Sequence, residues 1–119
     1  MGGRRRADEA TARLVQAWRA RDAGVLAGLL HPSVVLTADG LDGVAHAPVR
    51  GATAVAETLL RLTTPPAPGE LSAAIANGVP AVVVHSSGTT RGVVVVEVRR
   101  GLVTRLWAVF NPLKLSTWR

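Results

Sequence analysis

The chain has 119 residues, a net charge of +6 and no cysteine, and 48% of it is apolar. That length and composition suit one folded domain with a single core and argue against a disordered chain. Without cysteine, disulfides, thiol nucleophiles and thiolate-held zinc are excluded, and no apolar run approaches the roughly 20 residues that span a bilayer.

The opening "MGGRRR" is basic, and residues 1–9 read as a flexible basic N-terminal arm ahead of a single domain over 10–119. The polar "ADEATAR" follows where a signal peptide needs an apolar stretch, so the cytoplasm is the expected location. The remaining arginines are dispersed, and Trp18, Trp107, Trp118 and Phe110 lie far apart in sequence. A nucleic-acid surface would cluster its charges and interleave them with aromatics. A solvated basic surface is expected instead, with neither nucleic acid nor membrane as partner.

Helices come first. In "ADEATARLVQAWRAR" the residues Ala10, Leu14, Val15 and Trp18 form one apolar stripe, with Glu9 and Arg13 spaced i,i+4 on the other face. Asp22 is placed to cap a short helix, "AGVLAGLL", which His31-Pro32 should end. "SVVLTA" reads as a strand, and "DGLDGVAHAPVRG" as a glycine-punctuated excursion. "ATAVAETLLRL" returns to helical spacing through Val55, Leu59 and Leu62, and "TTPPAPGE" is a proline-rich connector.

Everything after Glu70 reads as β. "LSAAIA" and "AVVVHS" flank Asn77-Gly78, a dipeptide suited to a tight hairpin because both positions need positive φ. "GVVVVEVR" and "LVTRLWAVF" flank a second turn at Arg100-Gly101. A two-residue turn there pairs Glu97 with Thr104, and sets Arg105 and Trp107 on the face opposite Glu97 and Leu106. The class is α+β, with helices on one face of a sheet whose last four strands form an antiparallel meander. "AVVV" and "VVVV" are apolar at consecutive positions, so both sheet faces should be covered. That predicts a homodimer through the sheet.

This order of elements resembles the SnoaL-like branch of the nuclear transport factor 2 and ketosteroid isomerase superfamily. Within it, "VVLTADG" (34–40), "APVRGATAVAETLL" (47–60), "ANGVPAVVV" (76–84) and "LWAVFNPLKL" (106–115) are similar to the C-terminal SnoaL-like domain of extracytoplasmic-function sigma factors. The resemblance implies a cone-shaped α+β barrel, with N-terminal helices packed on a curved antiparallel sheet around a cavity for a small apolar molecule. It implies cofactor-independent acid–base chemistry of the cyclase, isomerase or epoxide-opening type on an apolar or polyketide-like substrate. The alternative it implies is a regulatory or binding module without catalysis, in which the tail Asn111-Pro112-Leu113-Lys114-Leu115 contacts a transcription-related partner. With only a short arginine arm ahead of the domain, a stand-alone relative is the expectation.

Acid–base work needs a carboxylate or imidazole in an apolar setting. Asp39, directly after the first strand, is the candidate base, and its place is close to where the resemblance puts the isomerase-like base. His46, across the glycine loop, is the candidate second proton carrier. Trp18, Arg105, Trp107 and Glu97 are candidate ligand-binding residues, Arg105 and Trp107 together suiting an anionic aromatic molecule. No tyrosine is present to donate to an oxyanion. His31, His46 and His85 lack the spacing of a metal site, so neither metal nor cofactor is expected. "HSSG" at His85 to Gly88 lacks the context of a nucleophile elbow.

Overall fold

A computed structural model of the chain describes residues 2–39, 47–63, 70–76, 78–86 and 89–109. Three helices, α1 (Gly2–Arg19), α2 (Ala23–Gly28) and α3 (Ala52–Leu62), accompany six strands: β1 (Leu30–Asp39), β2 (Val49–Arg50), β3 (Glu70–Ala76), β4 (Val79–Ser86), β5 (Thr89–Arg99) and β6 (Leu102–Val109). None of the described helices is long and apolar enough to cross a membrane. Helix α1 begins at Gly2, so its backbone includes the Arg4-Arg5-Arg6 run of the expected arm.

The α1 stripe is the one the periodicity indicates: Ala10, Leu14, Val15 and Trp18 are all buried, with Ala17 beside them. The helix ends in a Schellman-type turn. Asp22 N–H donates to the Ala17 carbonyl (3.1 Å) and Arg21 N–H to the Trp18 carbonyl (3.0 Å), with Arg21 at φ +55° in the position glycine usually takes. Asp22 then caps α2, its carboxylate accepting from Val25 N–H at 3.0 Å, as the sequence predicts.

The sheet runs β2-β1-β6-β5-β4-β3. Strands β3 to β6 form the expected antiparallel meander, but β1 pairs parallel with β6. The sheet is therefore mixed rather than antiparallel, and it is not closed, since β2 and β3 are both edges. A parallel partner needs a crossover instead of a hairpin, and the chain between β1 and β6 supplies it. Pro32 does not end α2 as expected. It lies inside β1, between Leu30 and Val35, where the β1–β6 register shifts and the missing N–H removes no ladder bond.

All three helices contribute to one core on one face of the sheet. Leu14, Trp18, Leu26 and Leu59 pack with Leu36, Val94, Val96 and Leu106, each nearly or wholly buried, and each buried leucine contributes about 2 kcal/mol. The opposite face carries a smaller cluster of Ala81, Val93 and Val95. The turn between β5 and β6 places Arg100 at φ +54° and Gly101 at φ +80°, the paired positive angles of a tight hairpin.

One polar contact lies inside this core. The indole N–H of Trp18, 1% exposed, donates to Thr63 Oγ1 at 3.0 Å across 45 residues of sequence. Replacing Thr63 by Val removes the acceptor that the described residues offer that buried donor. Thr63→Val is expected to lower the unfolding free energy by about 1–3 kcal/mol, read from urea denaturation, with Thr63→Ser losing less because it keeps the hydroxyl. An unchanged unfolding free energy in Thr63→Val would show that the hydrogen bond contributes nothing.

Candidate functional site

The concave side of the sheet is mostly filled by side chains, and among the described residues a space opens at one end, between β1, β2 and α3. It is a cavity of about 410 Å³ lined by Leu36, Ala38, Ala47, Val49, Thr58, Arg61 and Leu62. Local geometry explains how these residues meet. Strand alternation turns Leu36 and Ala38 toward the helices. Gly51, at φ +96°, redirects the chain from β2 into α3, while its N–H bonds the Val34 carbonyl at 2.9 Å. On α3, Thr58, Arg61 and Leu62 fall at i, i+3 and i+4 and so share one side of the helix.

The walls are apolar and the rim carries one polar pair. Arg61 Nη2 donates to Thr58 Oγ1 at 3.2 Å, and that hydroxyl donates in turn to the Ala54 carbonyl at 2.8 Å. No carboxylate or imidazole occurs among the described residues that line the cavity. Thr58 and Arg61 were not singled out in the sequence, although their spacing beside Val55, Leu59 and Leu62 marks them as the polar border of the α3 apolar stripe.

Asp39 is the last residue of β1, one position beyond Ala38 and in register with Val109. Its side chain and the whole of His46 lie outside the described residues, as does the tail from Phe110 onward. Trp18 lines none of the described cavities: it belongs to the core and bonds Thr63.

Glu97, Arg105 and Trp107 lie on the face away from the helices, and their register differs from the expected one. Val98 pairs with Val103 as a two-residue turn requires, but Glu97 then pairs with Arg105, not Thr104, and Val96 with Leu106, not Arg105. Thr104 is the extra residue of a β-bulge. Its hydroxyl donates at 2.9 Å to the Glu97 carboxylate and lies 3.3 Å from the Glu97 carbonyl, which holds the bulge in place. The bulge brings Glu97 to the same face as Arg105 and Trp107. There the Arg105 guanidinium sits 5.4 Å from the centre of the Trp107 ring, and Glu97 pairs with Arg99 at 3.3 Å.

A second concavity of about 420 Å³ opens at the β3 edge, lined by Arg19, Glu70, Leu71, Ser72 and His85. Ser72 Oγ lies 3.1 Å from His85 Nε2, and Arg19 donates to the Leu71 carbonyl. Glu70 is the cross-strand partner of His85, yet no carboxylate bonds that imidazole among the described residues, so the pair lacks the third member of a hydrolytic triad. No group of three metal-ligating side chains occurs among the described residues.

Solved structures share this fold. The extracytoplasmic function sigma factor SigJ of Mycobacterium tuberculosis superposes with a TM-score of 0.73 at 27% identity, over 93% of this chain and 44% of that one. The fold is SnoaL-like, of the nuclear transport factor 2 type. An LEH-like epoxide hydrolase of the same organism matches with a TM-score of 0.57 at 17% identity, covering 89% of this chain and 83% of that one. RV0760c of M. tuberculosis, solved in complex with estradiol-17beta-hemisuccinate, matches with a TM-score of 0.58 at 18% identity over 90% and 95% of the two chains. This chain spans less than half the length of the sigma factor. No protein-family model matches it, and no curated protein does.

Proposed function

We propose that this chain is a small-molecule protein that takes an apolar ligand in the SnoaL-like cavity between β1, β2 and α3. The observation that carries the reading is the cavity wall, where Leu36, Ala38, Val49 and Leu62 present an apolar surface with one polar pair at its rim. An apolar concavity with few polar groups is the usual form of a small-ligand site. Support also comes from RV0760c, a protein of this fold solved with a steroid ester. A neutral bicyclic probe, 2-naphthamide, is expected to bind the purified chain in a calorimetric titration. Ala38→Leu, which fills the wall from a half-buried position, should weaken that binding by about tenfold while changing stability by less than about 1.5 kcal/mol. Unchanged binding in the variant would move the ligand out of this cavity.

Turnover in this pocket would need a proton carrier, and Asp39 is the proposed base, with His46 as second carrier. The support is position: Asp39 follows Ala38, a wall residue, by one step along β1. A cofactor-independent cyclase, isomerase or epoxide-opening enzyme acting through Asp39 should lose turnover in Asp39→Asn and keep its affinity for 2-naphthamide. Retained turnover in that variant would remove Asp39 from the chemistry.

Likeness to SigJ favours a second reading, a regulatory module without catalysis. The discriminating result is a binding-competent chain that turns over none of the epoxide, enone or polyketide-like substrates offered to it.

Assembly through the outer sheet face is part of the proposal. Trp107 is 37% exposed there beside Arg105, an aromatic and arginine pair of the kind enriched at interfaces. Light scattering should give twice the 12.4 kDa chain mass, and Trp107→Glu should return the mass to that of a monomer.

A further inference from the structure

Arg61 is exposed and sits four residues after Glu57, also exposed, in the order that favours an i,i+4 ion pair on a helix. That pair is not made. The guanidinium bonds Thr58 Oγ1 instead, on the side of α3 that borders the cavity, and no carboxylate pairs with Arg61 among the described residues. The Thr58 hydroxyl is itself fixed by its bond to Ala54, so Arg61 is tied at the rim by a positioned partner.

A cation in the last turn of a helix ordinarily serves the carbonyls left open there. Here another arginine already does this. Arg21 reaches across from the end of α1 and donates to the Leu60 carbonyl at 2.9 Å, with Nη1 3.4 Å from the Thr63 carbonyl. Arg61 is therefore not required as the α3 cap, and among the described residues its guanidinium bonds Thr58 Oγ1 through Nη2 alone.

We infer that the Arg61–Thr58 pair is an anion clamp at the cavity rim, and that the ligand is an apolar acid bound as its carboxylate. This rests on the reading of the cavity as a ligand site and adds the chemistry of the ligand's head group. The wall selects an apolar body. At the rim, a carboxylate takes two parallel hydrogen bonds from a guanidinium, whereas a neutral carbonyl takes fewer and weaker ones. An ammonium head finds only the remaining lone pair of Thr58 and faces a like charge.

The test compares 2-naphthoate with 2-naphthamide, equal in shape and differing in head-group charge, by calorimetry on the full chain at pH 7. The acid should bind about tenfold tighter at low salt, and the difference should shrink in 0.5 M salt because the pair is exposed to solvent. Arg61→Gln should abolish the preference, costing the acid about tenfold more affinity than it costs the amide. Thr58→Val, which unties the guanidinium without removing its charge, should reduce the preference in part. Matching melting temperatures for wild type and both variants confirm that the fold is retained. Equal affinity for acid and amide in the wild type, or a preference that survives Arg61→Gln, overturns the anion clamp while leaving the cavity standing. Failure of the amide itself to bind overturns the cavity reading, and the clamp with it.

Discussion

The junction between the ends of α1 and α3 determines where every other element can sit. Trp18 is the largest fully buried side chain, and its N–H needs an acceptor where water cannot reach. Thr63 supplies that acceptor from the far end of α3. Three residues after Trp18, Arg21 adopts a left-handed backbone that costs a non-glycine residue roughly 1 kcal/mol, and its guanidinium then bonds Leu60 and Thr63. One short segment thus ends α1, starts α2 and caps α3. Because α3 is anchored at this end and by Gly51 at the other, its Thr58–Leu62 side is held against β1 and β2.

The cavity is consequently a remainder of the packing. Leu14, Trp18, Leu59, Val96 and Leu106 fill the middle of the concave face, and the cavity lies beside β2, which contributes only two residues. A site at the rim of a filled core keeps its walls rigid while its mouth stays accessible, a combination that favours binding of small rigid molecules over large flexible ones.

Much of this was legible in the sequence, and the reasons differ by element. The α1 stripe, the Asp22 cap and the Arg100-Gly101 turn follow from local rules, since periodicity, capping and positive φ depend on a few neighbouring residues. The parallel pairing of β1 with β6 depends on contacts about seventy residues apart, and nothing local in "SVVLTA" carries it. The β5–β6 register was set correctly by the turn and then shifted by the bulge at Thr104. A threonine among valines gives no sign of a bulge until its hydroxyl is seen bonding Glu97. Site residues were harder still. Trp18, Arg105 and Trp107 are conspicuous in the sequence, whereas Thr58 and Arg61, which line the cavity, look like ordinary residues of an exposed helix face until β1 and β2 are laid beside them.

An open sheet also exposes two margins of unpaired backbone, and a chain this rich in valine could recruit foreign strands there. Both margins are blunted. At β2 the exposed ladder is two residues long, too short to template a lasting pairing. At β3 the Arg19 side chain already occupies the Leu71 carbonyl, placing a cation where an incoming strand would have to dock. The four consecutive valines of β5 lie away from both margins, paired on one side with β4 and on the other with β6, so neither edge presents them to an incoming strand.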